Sequence, residues 1–450
     1  MEAIILLTNA KGLFKLCGLS ILRRNLYLLR SKEIRKVTIL AEEKISHLVE
    51  KEIRKAKNLG MELKLVRPKD QNKGLSSIGR KSKENLFLIM EGNCVFDPSF
   101  LESLLQHKKT VICCDGNPEK KCVKESFKIL SKNGTIQKIG HTLGKWDKVY
   151  AGMALCEKKI LLELEDGLTD HVDWPMCLNK ILKREKVNYL DISLTLSYSS
   201  ELRRNVKPFW YRISSKDDLK VAKRHFIEGT QKKTLDVLAW YVHRPIEKKL
   251  IHYLCELPIT PNQLTILTNI LAYLVTFLFL RGELLVGSFL TFLVNILDGL
   301  DGKQARAKGI ITKVGHLEHT LDALYEQSWY IAFSWAVFTI TNNLLSLELC
   351  LVMLLFDTFS RHCSMQFRMT MKTPLADYSA FDRAFRRFDG RRNIYTIYIL
   401  VGVLTGLPLY SLGVMALHAI LTGVVYFVRS VKHMRSADMG FNRSFDKDNK

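Results

Sequence analysis

Short apolar runs bounded by polar turns recur through the first half of the chain, at 3–7, 37–40, 86–90 and 110–114. Between them, 21–29 and 100–105 place apolar residues at helical spacing. Strands alternating with helices predict βαβ units, a mostly parallel sheet and one α/β domain of about 200 residues. The second half has a different rhythm. Long apolar runs at 264–280 and 284–297 are followed by runs at 321–340, 344–356, 394–407 and 410–428, the last two split by Pro408. The set predicts an all-α domain of six transmembrane helices. The division expected is a domain at 1–225, an amphipathic juxtamembrane linker at 226–258, a membrane domain at 259–430 and a polar tail at 431–450. Lys232, Lys233, Arg244, Lys248 and Lys249 of the linker suit a face laid against anionic lipid.

Composition changes this picture little, and charge sharpens it. The chain is 47% hydrophobic and 25% charged, which excludes wholesale disorder and collagen-like repeats. Its 68 Lys and Arg outnumber 45 Asp and Glu, a net charge of +23. No zinc finger, RNA-binding aromatic signature or Arg-rich reading helix is present, so nucleic acid is not the expected partner. The lipid bilayer and phosphate-bearing substrates are. The segments after the second and fourth apolar runs and the tail are basic: Lys303, Arg306, Lys308 and Lys313; Lys372, Arg383, Arg386, Arg387, Arg391 and Arg392; then Arg429, Lys432 and Arg435. The opposite connections hold little beyond Arg281. The positive-inside bias predicts a multi-pass protein of the cell (inner) membrane, with the α/β domain and both termini cytoplasmic. The 10 cysteines form no C-x-x-C pair and read as reduced, buried thiols. The apolar run at 4–7 is too short for the core of a signal peptide and reads as a first strand.

The chemistry gathers in residues 298–322, DGLDGKQARAKGIITKVGHLEHTLD. Asp298 and Asp301 are spaced i, i+3 and Glu318 and Asp322 i, i+4, so each pair shares a helix face. Four carboxylates at the ends of apolar helices are costly unless paired or metal-bound, and divalent cations with oxygen ligands resolve that cost. Such ions would bind a diphosphate. Gly302 and Ala305 leave room for a nucleotide to approach the backbone, and Arg306 can hold a phosphate oxygen.

The string Asp298-x-x-Asp301-Gly302-x-x-Ala305-Arg306, followed by Gly315, Glu318 and Asp322, resembles the signature of CDP-alcohol phosphatidyltransferases. Here the second part is one residue shorter after the glycine, and Glu318 stands where that family has a third Asp. Thr260-Pro261-Asn262 with Thr265 is similar to the family's opening of its first membrane helix. Arg391-Arg392-Asn393 resembles the basic patch that receives the acceptor. The resemblance implies Asp298, Asp301, Glu318 and Asp322 as ligands of Mg2+ or Mn2+, and Asp322 as general base. It implies CDP binding by Asn262, Thr265, Gly302, Ala305 and Arg306, and acceptor binding by Arg391 and Arg392. The expected reaction takes a substituted phosphate group from a CDP-alcohol to an alcohol acceptor with release of CMP, and a homodimer through the membrane region is implied.

The front half resembles the sugar-phosphate nucleotidyltransferases, a Rossmann-like α/β fold. Thr8 to Leu13 sits at that family's Gly-rich loop, Glu91-Gly92-Asn93 at its metal-binding Gly-Asp, and 210–219 at its acidic closing segment. The loop keeps only Gly12, the metal Asp is Asn93, and the later acidic positions read Arg212 and Ser214. The expectation is a catalytically degenerate domain. The whole resembles a bifunctional inositol-phosphate cytidylyltransferase fused to a CDP-inositol-using transferase. Two alternatives are an active bifunctional enzyme and a CDP- and metal-binding scaffold without turnover.

Overall fold

The computed structural model describes residues 1–450 save 69–70, 165–172, 196, 200–201, 203, 233–234, 311–316 and 449–450, and leaves out the side chains of 71, 120–122, 197–199, 204, 318 and 441–448. Lys233, Lys313, Gly315 and His316 therefore lie outside the described residues, as does the side chain of Glu318. The chain divides into two compact units. The first takes in 1–198, 205–229 and 307–310, and the second 199–204, 230–306 and 311–450.

The front unit is built on a nine-stranded sheet: β1 (Glu2–Leu7), β2 (Lys36–Ala41), β3 (Glu62–Val66), β4 (Leu86–Glu91), β5 (Val111–Asp115), β6 (Lys128–Lys132), β7 (Thr135–Gly140), β8 (Lys148–Glu157) and β9 (Asn188–Asp191), in the spatial order β3-β2-β1-β4-β8-β5-β9-β7-β6. The first four strands pair in parallel, as the βαβ rhythm predicts. Beyond them β5 and β9 also pair in parallel, and the mostly parallel sheet is interrupted by two reversed strands, β8 and β7. Strand β8 runs antiparallel to both β4 and β5, and β6 and β7 form an antiparallel hairpin. The cause is local chemistry. Asn133 (φ 50) and Gly134 (φ 78) make a two-residue turn with both φ positive, the geometry whose twist matches a hairpin. Strand β8 is irregular at Gly152 (φ 82), where its pairing with β5 shifts register between Tyr150 and Ala154. Eight of the nine described cysteines are buried and none is disulfide-bonded, and burial pushes the Cys113 and Cys114 thiols up, out of reach of thiolate chemistry.

Among the described residues, the helices of 13 residues or more in the second unit are α1 (Pro261–Leu280), α2 (Leu284–Lys308), α3 (Glu318–Thr341), α4 (Leu345–Met371), α5 (Arg392–Leu404) and α6 (Pro408–Asp448). Thr260 and Gln263 cap α1 reciprocally, with Pro261 in the first turn where its missing N–H is no loss. Helix α1 packs against α3, and α4 along α6. Phe279, Tyr325, Trp329, Phe333 and Tyr395 form a common core, with the Trp329 indole donating to the Ala272 carbonyl at 2.7 Å. The outward faces carry exposed apolar side chains such as Ile270, Phe277, Leu351, Leu355 and Leu417. Among the described residues, α1, α2 and Pro408–Gly440 of α6 are long and apolar enough to cross a membrane. Helix α5 is 13 residues long, and α3 and α4 carry buried charge in their interiors.

Upstream, Arg244–Leu254 forms a helix that buries Glu247 and Ile251 and exposes Ile246, Leu250 and Tyr253. Glu247 is ion-paired to Lys303 of α2, and Lys303 also donates to Gln231 at 2.9 Å. Gly299 lets this contact form: a Cβ there would lie 2.1 Å from Glu247 Oε1. The sequence predicts a face laid on lipid; the structure docks the buried face on α2 and leaves Ile246, Leu250 and Tyr253 exposed.

Candidate active site

Helix α2 presents Asp298 and Asp301 one turn apart, and Asp322 stands in the second turn of α3. The Asp298 and Asp322 carboxyls come within hydrogen-bonding reach of each other. Asp298 also accepts from the Tyr325 hydroxyl at 3.3 Å and is ion-paired to Arg392. Asp301 is 2% exposed and accepts from the Thr265 hydroxyl at 2.6 Å. The capped start of α1 places Thr265 there, so two positions singled out from distant parts of the sequence meet. Arg306 folds back over Gly302, whose missing Cβ would sit 3.3 Å from Arg306 Nη1, and its Nε donates to the Thr230 carbonyl at 3.1 Å. Ala305 is half-buried and Asn262 is exposed. His319 lies with Nδ1 3.5 Å from Asp322 Oδ2 and is largely exposed.

The donor chemistry of the acids fits a hard divalent cation: all oxygen, two carboxyls facing one another and a third a turn away. No group of three ligating side chains is gathered at metal-binding distance among the described residues. Asp298 is balanced by Arg392 instead.

Beside the acids lies a cavity of about 130 Å³ lined by Asp236, Glu326, Arg361, Arg386, Arg391, Arg392 and Asn393. Of these, the sequence resemblance implies acceptor binding for Arg391 and Arg392 alone. Arg392 reaches from Asp298 to Glu326, at 3.3 Å from Oε1. Arg361 is paired to Glu326 and to Asp357 at 2.7 Å, and Arg386 and Arg391 share Asp389 at 2.8 and 3.1 Å. Tyr426 donates at 2.6 Å to the same Asp389 oxygen that Arg391 holds. Four guanidinium groups thus meet two lining carboxylates, Asp236 and Glu326, with Asp298, Asp357 and Asp389 paired to them from behind. Glu326 and Asp357, without a role in the sequence, fix Arg361. The sign that could have found them was the presence of acids in apolar helices at all.

The front unit has a second cavity, of about 320 Å³, lined among others by Asn9, Lys11, Glu91, Asn93, His141, Asp173, Trp174 and Arg212. The in-register pairing of β1 with β4 sets Leu6 opposite Glu91, so the loop after β1 and the turn after β4 meet. Gly12 is required there, since a Cβ would come within 2.7 Å of the Gly92 carbonyl oxygen. Strand Trp210–Arg212 pairs with Cys94–Phe96 and delivers Arg212 to Glu91, to which it is ion-paired. Burial opposes the Arg212 charge, and Glu91 outweighs burial and holds the guanidinium protonated. A metal ion does not fit this set. The ligand position is a neutral Asn93 whose Nδ2 points at the Ile213 carbonyl (3.4 Å), and Glu91 is already neutralised by a cationic side chain.

With this geometry in view, comparisons with known proteins agree with the membrane unit. Residues 258–425 match the family model for CDP-alcohol phosphatidyltransferase. The second unit therefore carries a domain that matches that family, and the chain is an enzyme of the transferase class. It is 24% identical over 331 residues to the "Bifunctional IPC transferase and DIPP synthase" of Thermococcus kodakarensis, covering 72% of each chain. The protein of the same description from Aquifex aeolicus is 25% identical over 315 residues, 69% of each chain. The inositol-1-phosphate CTP transferase structure from T. maritima covers 49% of this chain and 95% of that one, with 18% identity and a TM-score of 0.41.

Proposed function

We propose that the protein is a six-pass cell-membrane enzyme with its front unit cytoplasmic. It transfers a substituted phosphate group from a CDP-alcohol, of CDP-inositol or CDP-diacylglycerol type, to a phosphate-bearing alcohol acceptor. The observation that carries this reading is Arg392, which joins the Asp298–Asp322 cluster to the four-arginine cavity. The acids mark where a pyrophosphate is handled, and the cavity marks where a second anion is held next to it. The relatives' names and the family match support the reaction class, and the arginines support a phosphate on the acceptor.

Asp298, Asp301, Glu318 and Asp322 would hold Mg2+ or Mn2+, which neutralises the pyrophosphate charge. Thr265 fixes Asp301, Gly302 and Ala305 leave room for the nucleotide beside α2, Asn262 lines the opening of α1, and Arg306 faces a phosphate oxygen. Arg361, Arg386, Arg391 and Arg392 orient the acceptor by its phosphate. Asp322 takes the proton of the acceptor hydroxyl. The hydroxyl oxygen then bonds to the β-phosphorus, the bond from that phosphorus to the bridging oxygen breaks, and CMP leaves with the bridging oxygen. Dimerisation through the membrane unit belongs to the same proposal and is read by sedimentation in detergent.

The test is CMP release by the detergent-solubilised chain with Mg2+, CDP-inositol or CDP-diacylglycerol, and inositol phosphate or glycerol phosphate. Asp322→Asn is expected to lower kcat by ~10²–10⁴-fold, the range of a general base. Release unchanged by Asp322→Asn overturns the assignment.

A further inference from the structure

The helix Arg244–Leu254, entered through a π-helical turn at Ala239–His243, carries three different faces. Glu247 and Ile251 are buried on the face docked to α2. Ile246, Leu250 and Tyr253 follow one another at helical spacing on a second face, and with Leu257 beyond the helix they are exposed. Arg244, Lys248 and Lys249 stand along the remaining side, Arg244 lying over the Trp240 ring at 4.2 Å. Trp240 and Tyr241 of the turn are themselves exposed. A second aromatic segment meets this one. Asp236 caps the turn by accepting from the Ala239 N–H at 2.8 Å and accepts from Asn393 at 2.9 Å, while the Val237 N–H donates to the Arg387 carbonyl at 3.1 Å. Phe388, next in sequence, is 62% exposed, and Phe381 upstream is 52% exposed, with exposed Arg383 and Arg387 between them.

Neighbouring exposed apolar side chains mark an interaction surface, and the depth of this one names its partner. Glu247 meets Gly299 and Lys303, which stand roughly 22–29 Å along α2 from its start at Leu284. A hydrocarbon core is about 30 Å thick, so the helix lies where acyl chains give way to headgroups. In sequence its apolar stripe leads through Leu257 into the exposed Ile266 and Ile270 of α1. An apolar stripe bordered by aromatic rings and cations suits a helix lying in that interface, the cations answering anionic headgroups. We propose that 237–257 and 381–388 form a collar that binds the headgroup region of an anionic bilayer and gathers anionic lipid around the second unit. The proposal rests on the membrane placement of that unit and not on the transfer reaction assigned to it.

The test uses the full chain in a cysteine-free background, with a bimane fluorophore at Leu250→Cys, Phe388→Cys or Ile270→Cys. Each is reconstituted into vesicles of brominated phosphatidylcholine, brominated phosphatidylglycerol or their mixtures. Ile270, on the exposed side of α1, reports the membrane placement itself. Bromolipid is expected to quench all three sites. At Leu250, phosphatidylglycerol should bind at least roughly fivefold more tightly than phosphatidylcholine, the weight of one cation at an anionic surface. That ratio should fall toward one in the triple variant Arg244→Gln, Lys248→Gln, Lys249→Gln, and in about 1 M salt. Quenching at Ile270 with none at Leu250 or none at Phe388 overturns the collar, and is the result that a protein partner or a second copy seated there would give. A ratio near one in the chain with its three cations intact, or a ratio unmoved by the triple variant, overturns the choice of anionic lipid. Absence of quenching at Ile270 overturns the membrane placement and the collar with it.

Discussion

Arg391 and Arg392 are neighbours in sequence with different work. Arg391 is held between Asp389 and Tyr426, away from the acids, whereas Arg392 touches Asp298 directly. Arg391→Gln is therefore expected to raise KM for a phosphate-bearing acceptor by roughly ten- to a hundredfold, the weight of a lost charged hydrogen bond, with a smaller change in kcat. Arg392→Gln should lower both kcat and kcat/KM, because it also strips the counter-charge from Asp298. Steady-state kinetics of CMP release against acceptor concentration separates the two. At this scale the sequence was informative where the partners are close along the chain or belong to a known pattern: Asp298, Asp301, Gly302 and Arg306. It was silent on Arg361 and Asp236, whose place in the cavity depends on contacts across long separations that no local period encodes. Tyr325, donating to Asp298 from the turn after Asp322, was equally hidden in an apolar run.

Among the elements, the helix Arg244–Leu254 rests on one buried ion pair. Lys303→Met leaves Glu247 without its cation in a site where both side chains are under 10% exposed, and is expected to cost about 3–5 kcal/mol. The double variant Glu247→Met with Lys303→Met removes both charges and should recover most of that loss. Thermal unfolding in detergent compares the two. Amphipathic spacing announced this helix, but not that an acid on its buried side would find a lysine on α2, because the pairing spans 56 residues. The hairpin of β6 and β7 is the opposite case. The Asn133-Gly134 dipeptide is a strong local turn signal, and the expectation of parallel strands passed over it. In the same sheet Asp191 accepts from Lys148 at 2.9 Å and from the Gly116 and Ser193 N–H groups. Burial would raise its carboxyl, but Lys148 and these hydrogen bonds outweigh burial and hold it below the usual carboxylate range. A depressed carboxyl stabilises the fold fully above about pH 4 and loses that contribution as pH falls through the lowered value. Asp191→Asn should flatten the acid limb of the front unit's stability, as read by circular dichroism melts between roughly pH 3 and 6.

For the molecule as a whole, the charge pattern makes a prediction about sidedness. In whole cells and a cysteine-free background, Glu283→Cys in the turn between α1 and α2 should react with an impermeant maleimide. Ser436→Cys near the end of α6 should react only after the membrane is opened. Labelling of both from the same side overturns the orientation. The two-part organisation was readable because apolar periodicity differs so sharply between the halves. The mixed sheet and the arginine cavity were not, since each arises from pairings between distant segments. The reach of Arg392 has a thermodynamic corollary. One guanidinium answers to both the acid cluster and the anion cavity, so whatever draws it toward one leaves the other altered. Linkage then requires that whatever factor a ligand at the acids imposes on affinity at the cavity be returned by the cavity's ligand at the acids. On the proposed reaction, donor and acceptor occupancy would be reciprocal partners, and their dissociation constants, each measured with and without the other, must close that thermodynamic square.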